Sequence, residues 1–294
     1  MSPYRRVGIT VKSDLPDRDT LVARVLAILR KEGAEVSLDA KRAEDLPCAK
    51  GAKTFVEETG LDLLIVIGGD GTILRSVREL KDFSIPLLTI NRGAVGFLAE
   101  MRAEEVEKLL PKFLRGDGII DERSVLHVEA LRGKKAFFSG VVLNEAVISQ
   151  GSIARLVDLE TTINDEPLTT FHSDGLIIAT PTGSTAYSLA AGGPIVHPQL
   201  AATILTPINS HSFSQKPIVI PGAHKIEVTV LPKENKFRDV EVSLTLDGQT
   251  YYTLKRGDRI RATINSKTVK FLRRKQDTFF ATLREKLKWG ERVE

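Results

Sequence analysis

Up to about residue 116 the chain alternates short apolar runs with stretches whose apolar positions recur every three or four residues. Residues 6–11 read as a first strand. Residues 19–32 follow, with Leu21, Val22, Val25, Leu26 and Leu29 at helical spacing and Gly33 as a stop signal. A second strand is predicted over 34–38 and a third over 61–67. The third is apolar without alternation from Leu63 to Ile67, the pattern of a strand buried on both faces of a parallel sheet. It runs directly into Gly68-Gly69-Asp70-Gly71-Thr72. A helix over about 72–80, a strand over 85–91 and a helix over 103–115 complete this part. Repeated βα units imply a parallel sheet with right-handed crossovers, whose ligands bind beyond the carboxyl ends of the strands. Asp70 and Asn91 would lie there.

The pattern changes near residue 122. Strand-like segments at 125–131, 136–149, 154–163, 175–180, 225–231, 240–246, 250–254, 259–264 and 269–273 mostly alternate apolar with polar positions, as half-solvated sheets do. Asp247-Gly248 between two of them is a hairpin signal, because both central positions of a type I′ turn need positive φ. A final helical pattern spans 277–289. The fold class expected is α/β, with a Rossmann-like α/β domain over 1–122 onto which 275–294 packs back. A β-rich, β-sandwich-like domain fills 123–274.

Composition adds limits. The chain has 294 residues, enough for two domains, and no apolar run approaches the roughly 18 residues of a membrane span. The N-terminus has no apolar segment behind its charges, so a cytoplasmic location and no membrane partner are expected. The single cysteine, Cys48, rules out an internal disulfide. A net charge of +4 from 42 basic and 38 acidic residues suits a nucleotide-sized anion. The densest basic run, with Lys270, Arg273, Arg274 and Lys275, has only Phe271 as an aromatic. It reads as a solvated strand face and gives no nucleic-acid platform.

Two segments could carry chemistry. In Gly68-Gly69-Asp70-Gly71-Thr72 the glycines let backbone N–H groups approach an anion, while a carboxylate among them repels phosphate and so suits proton acceptance or hydroxyl orientation. The alternative is a tight turn in which Asp70 caps the helix. The second segment runs from His172-Ser173-Asp174-Gly175 through a buried strand to Thr180-Pro181-Thr182-Gly183-Ser184-Thr185-Ala186-Tyr187-Ser188. Its helix start could hold an anion or the polar edge of a base, with Ser184 and Thr185 as hydroxyl donors. Simple capping by either residue is the competing reading. Asn144-Glu145 interrupts an apolar run, and two polar residues there need partners, a ligand ribose or an ordinary strand end. Of the histidines, His127, His197, His211 and His224 are scattered, and His172 alone lies beside a candidate segment. Walker, G-x-G-x-x-G, HExxH and paired CxxC patterns are absent.

In order and spacing, the glycine turn with Asp70, Asn144-Glu145, Asp174-Gly175, the Thr180 to Tyr187 block and Asp247-Gly248-Gln249 resemble the bacterial NAD kinase family over nearly the whole chain. The resemblance implies transfer of the γ-phosphoryl group of ATP, or of polyphosphate, to the 2′-hydroxyl of the adenosine ribose of NAD. It implies Mg²⁺ as the divalent metal, with no metal ligand assigned, and a homodimer or homotetramer. Asp70 becomes the proton acceptor, and Gly68, Gly69, Gly71 and Thr72 lie against phosphate. Asp70, Gly71 and Arg75 contact NAD, and Asn144 and Glu145 hold its adenine-side ribose or base. Asp174, Thr182, Thr185, Ala186, Tyr187, Ser188 and Ala190 line the pocket for the other end, which Gln249 touches from the hairpin. Arg155 and His172 stand where the family usually has basic contacts, and Ala190 where many members have serine. Lipid and sphingoid-base kinases share the glycine block, but their acceptor pocket should be apolar. A non-catalytic dinucleotide sensor is the other alternative, against which the intact Asp70, Asn144 and Glu145 argue.

Overall fold

The computed structural model describes residues 3–43, 45–92, 96–151, 156–231, 241–275 and 279–288. The chain forms two compact units, Met1–Glu122 with Val269–Glu294, and Arg123–Thr268. Among the described residues no helix is long and apolar enough to cross a membrane.

The first unit contains β1 (Arg6–Val11), α1 (Arg18–Lys31), β2 (Glu35–Asp39), α2 (Ala40–Ala43), β3 (Lys53–Phe55), β4 (Leu63–Ile67), α3 (Asp70–Glu79), β5 (Leu87–Asn91), β6 (Met101–Arg102) and α4 (Val106–Leu114). Its strands pair in parallel in the order β3-β2-β1-β4-β5. The chain builds outward from β1 to β3 and then returns to the other side of β1, so the strand order reverses between β1 and β4. Ligands of such sheets bind at that crevice, beyond the carboxyl ends of the strands. Val7, Ile9, Leu63, Ile65, Ile67, Leu88 and Ile90 form one core with Leu21, Val25 and Leu29 of α1 and Val106, Leu110 and Phe113 of α4. All five residues of β4 are buried, as its unbroken apolar run requires. α4 stops before Gly116, whose φ of +88° suits glycine.

The second unit takes in most of β7 (Ile119–Arg132), then β8 (Lys135–Val142), β9 (Glu145–Gln150), β10 (Val157–Ile163), β11 (Glu166–Ser173), β12 (Gly175–Ala179), α5 (Tyr187–Ala190), β13 (Ala202–Ile208), β14 (Ile218–Pro221), β15 (Ile226–Val230), β16 (Val242–Leu246), β17 (Thr250–Leu254) and the greater part of β18 (Arg259–Arg273). Here β11-β10-β15-β18, with β7 beside β18 and β8 beside β7, form one layer, and antiparallel β14-β13-β12-β9-β16-β17 form a second sheet. Leu126, Val128, Leu159, Val228 and Ile260 from the first layer share a core with Ile148, Leu176, Ile178, Leu205 and Leu244 from the second sheet. The end of β18 belongs to the first unit, where Phe271 pairs with Leu87 in parallel, and α6 (Phe279–Leu287) follows.

Several elements differ from the sequence reading. The strand expected over 136–149 is two strands in different layers, broken at Leu143 and Asn144 because their N–H groups turn to the carboxylate of Asp247. The segments 259–264 and 269–273 are one strand, since the polar residues between them include no glycine or proline to end it. β11, β13 and β14 were not expected. Pro207 argues against a strand over 202–208, yet all seven residues of β13 are buried.

Candidate functional site

In the first unit β4 ends at Gly68, whose φ of +154° and whose missing Cβ, which would lie 2.5 Å from Thr72 Oγ1, admit only glycine. Gly68 donates its N–H to the Ile90 carbonyl at 2.9 Å, and Gly69 accepts from Thr72 at 2.8 Å. Gly69 has open space where a side chain would stand, whereas Thr72 is buried against Gly68. Gly71 is exposed in the first turn of α3. Asp70 is the first residue of that helix and does not cap it. Its Oδ2 accepts the N–H of Phe97 at 3.1 Å and its Oδ1 that of Leu98 at 3.4 Å. Gly96 lies so close that a Cβ there would sit 2.0 Å from Asp70 Oδ1. Burial raises the Asp70 pKa above the ordinary carboxylate value, against the two amides and the charges of Lys286 and Arg273. The result is a carboxylate with a fixed direction and raised basicity.

Arg75, a turn farther along α3, has Nε and Nη2 buried with no hydrogen-bond partner. Burial, then the charge of Arg42, lowers its pKa. A half-buried guanidinium with two enclosed, idle donors calls for an anion. Arg42 is already paired, with Asp39 at 2.6 Å and Glu79 at 2.8 Å. A cavity of about 420 Å³ beside the later part of α3 is lined by Asp39, Arg42, Ser76, Arg78 and Glu79, and Asp70 is not among its walls.

In the second unit Asn144 and Glu145 are held by a residue that the sequence presents only as half of a turn. Asp247 (φ 48°) and Gly248 (φ 64°) make the tight turn between β16 and β17. The buried Asp247 carboxylate accepts N–H groups from Leu143 at 3.0 Å, Asn144 at 2.8 Å and Glu145 at 3.1 Å. Nothing in an Asp-Gly pair distinguishes this role from a simple turn. Thr180 bonds the same break, its N–H to Asn144 O at 2.8 Å and its hydroxyl to Leu143 O at 2.5 Å. A Cβ on Gly183 would stand 2.2 Å from Asn144 O, so the Thr182–Thr185 turn stacks directly on Asn144. Burial, and then the Asp247 charge, push the Glu145 carboxyl up to about 8, with a Tyr187 backbone hydrogen bond pulling the other way. Glu145 Oε2 and Thr182 Oγ1 are buried without hydrogen-bond partners.

The hydroxyl-rich block divides into structural and open members. Ser184 is fully buried, donating to Pro181 O at 2.6 Å and accepting from Val196 N at 3.0 Å, so it is not available to a ligand. Ser188 is likewise buried, 2.8 Å from Thr206 Oγ1. Thr185 lies 3.3 Å from Thr182 O, Ala186 is half-buried, and Tyr187 and Ala190 are exposed. α5 has only four residues, and its Tyr187 N–H serves Glu145. Asp174 is fixed by Gln150 Nε2 and Asn209 Nδ2, each at 3.0 Å. His172 bonds Asp158 through Nδ1, and its ring stands edge-on to His211 with centroids 5.8 Å apart. Gln249 is exposed at the hairpin, and Arg155 lies outside the described residues. Among the described residues no three His, Cys, Asp or Glu side chains are grouped to hold a metal ion.

Comparisons with known proteins converge on one family. The ATP-NAD kinase N-terminal domain model matches residues 7–118 and the C-terminal domain model residues 143–274. The NAD kinase of Geotalea daltonii is 38% identical over 98% of this chain and 100% of its own. That of Desulforamulus reducens is 40% identical over 96% of each. Yeast NADH kinase, solved with NADH, superposes with a TM-score of 0.89 at 25% identity, covering 100% of this chain and 93% of that one. An NAD kinase from Archaeoglobus fulgidus, solved with ATP, gives a TM-score of 0.73 at 26% identity over 96% of this chain and 98% of that one. The glycine turn that presents Asp70 and the Asn144-Glu145 break held by Asp247 are thus the local structures of a chain that belongs to the ATP-NAD kinase family.

Proposed function

We propose that this protein transfers the γ-phosphoryl group of ATP to the 2′-hydroxyl of the adenosine ribose of NAD, giving NADP and ADP, with Asp70 as proton acceptor. The observation that carries this reading is the Asp70 carboxylate, aimed by the Phe97 and Leu98 amides at the end of β4. A loose phosphoryl-transfer transition state asks mainly for positioning and charge compensation. The 2′-oxygen forms a bond to the γ-phosphorus, the bond to the bridging β–γ oxygen breaks, and the hydroxyl proton passes to Asp70. The raised basicity of Asp70 suits that transfer, and the open side of Gly69 leaves room for a phosphate against the turn.

Arg75 supplies charge to an anionic part of a substrate through its unengaged Nε and Nη2. At neutral pH Glu145 holds its proton, so its buried carboxyl can donate to the ribose or base of NAD while Thr182 offers its hydroxyl. Asp174, Thr185, Ala186, Tyr187, Ala190, His172 and Gln249 line the remainder of the dinucleotide site. Mg²⁺ would enter bound to ATP, taking phosphate oxygens and water as ligands, which suits a protein with no carboxylate cage among its described residues. When bound, that ion offsets phosphate charge. By resemblance to the family the protein forms a homodimer or homotetramer, which light scattering of the purified chain measures.

The test is NADP formation from ATP, NAD and Mg²⁺. Asp70→Asn should abolish turnover and leave NAD affinity within a few-fold. A near-normal rate in that variant removes Asp70 from the proton transfer, and no NADP from the wild type removes the activity itself. The same assay run with NADH and with polyphosphate defines the acceptor and donor range.

A further inference from the structure

In the basic run near the end of β18, Lys267 and Lys275 are exposed, but Arg273 and Arg274 are drawn into ion pairs. Arg273 and Glu100 are almost fully buried, with side-chain exposures of 9% and 2%, and their Nη1 and Oε2 atoms are 3.4 Å apart. Arg273 Nε is also 3.3 Å from Asp121 Oδ2. Arg274 closes on the same glutamate three times. Its backbone N–H donates to Glu100 Oε1 at 3.0 Å, its Nε to that oxygen at 2.6 Å, and its Nη2 to the Glu100 carbonyl at 2.5 Å. All of these residues belong to the first unit.

Glu100 is tied in turn to the segment that holds Asp70. Its N–H donates to Thr89 Oγ1 at 2.9 Å, and the Thr89 hydroxyl donates to the Leu98 carbonyl at 2.9 Å. Thr89 is buried in the middle of β5, where the register with Val66 of β4 is fixed. The Leu98 and Phe97 amides are the donors to the Asp70 carboxylate. An unbroken set of bonds therefore runs from the end of β18 through Glu100 and Thr89 to the residue at the head of α3.

Buried ion pairs add little net stability, because desolvation offsets most of the attraction, but separating the partners leaves an uncompensated buried charge and is costly, so a pair once formed resists displacement. A loop amide without such an anchor would exchange its carboxylate for water. We propose that Glu100, Arg273 and Arg274, acting through Thr89, form a positioning network that keeps the Phe97 and Leu98 amides on Asp70 and so aims the carboxylate at the acceptor hydroxyl. This rests on the reading of Asp70 as proton acceptor. The groups that face Asp70 are these two amides, Arg273 from β18 and Lys286 from α6. The amides favour its ionised form, so loosening them makes the carboxylate harder to ionise and moves the acid limb of the kcat profile to higher pH.

The experiment compares Thr89→Val, which keeps the shape and removes the hydroxyl, with Thr89→Ser, which keeps the hydroxyl. Arg274→Gln cuts the network at its partly exposed end. For Thr89→Val, kcat should fall at least about 10-fold, since displacements near 1 Å cost up to about 100-fold. KM for NAD should stay within about threefold, as positioning of the acceptor base leaves ground-state binding intact. The acid limb should move upward, and Thr89→Ser should restore both kcat and the limb. Arg274→Gln should lower kcat with the same upward shift. Wild-type kcat and acid limb in Thr89→Val, or equal impairment of the valine and serine variants, overturns the network while an inactive Asp70→Asn leaves the proton-acceptor reading standing. A near-normal Asp70→Asn removes that reading itself.

Discussion

The buried carboxyl of Glu145 makes a quantitative prediction. Its pKa stands at about 8 against an ordinary 4.5, raised first by burial and then by the negative charge of Asp247. Between those two values the folded protein holds a proton that the unfolded chain has released, so stability falls as pH rises. The slope is about 1.4 kcal/mol per pH unit. The slope halves by pH 8, where the folded group has itself lost half its protons, so from pH 6 to pH 8 the loss attributable to this one group is about 2 kcal/mol. Glu145→Gln removes the titration and should be tolerated, because the existing donor, the Tyr187 N–H, needs only one oxygen and Oε2 has no partner to lose. The stability of Glu145→Gln relative to wild type should accordingly improve by about 2 kcal/mol between pH 6 and pH 8, or about 4–8 °C in melting temperature for a unit of this size. Thermal unfolding of both proteins across that range measures it. A difference that stays flat with pH, or that narrows, refutes the assignment of a retained proton to Glu145.

Two other substitutions separate geometry from charge. Gly96→Ala places a methyl 2.0 Å from Asp70 Oδ1 and forces the carboxylate to turn, so kcat for NADP formation should fall by about 100-fold with the protein still folded; a normal rate would show that the carboxylate need not hold this direction. Arg75→Met removes a buried guanidinium whose Nε and Nη2 make no hydrogen bond, so thermal stability should hold or rise. Substrate KM should climb about 10-fold or more through loss of a charge-assisted contact, and an unchanged KM for both ATP and NAD would free Arg75 from any binding role.

Much of the fold is legible along the chain because local pattern and tertiary fate coincide. The β4 run has no polar position to expose and is buried throughout. The apolar stripe of α1 faces the core through the same Leu21, Val22, Val25, Leu26 and Leu29 that set its period. Asp247-Gly248 adopts the two positive φ values its turn type needs. What misled were positions whose partners are distant in sequence. β13, which contains Pro207, was not among the segments read as strands, yet all seven of its residues are buried. Ser184 read as a hydroxyl donor to a ligand, and the resemblance set Ser188 in the pocket lining, but both are bonded within the fold, to Val196 and Thr206. Arg273 and Arg274 read as a solvated face, because charge runs usually are; their pairing, and the burial of Arg273, depend on Glu100, more than 170 residues earlier.

The sequence by itself determined that a glycine turn carrying Asp70 would follow a buried parallel strand, and that the chain would turn tightly at Asp247-Gly248. These follow from backbone rules that act within a few residues: only glycine has the freedom for Gly68, and only an unbroken apolar run can fill a strand covered on both faces. Tertiary structure decided what each carboxylate does. Asp70 is a directed group and not a helix cap because Phe97 and Leu98 bring it two amides. Asp247 anchors three N–H groups from a strand break about a hundred residues away, and its charge, added to burial, keeps a proton on Glu145. A side chain's charge state and direction depend on desolvation and on donors supplied by other segments, and neither is encoded within a few residues of the group itself.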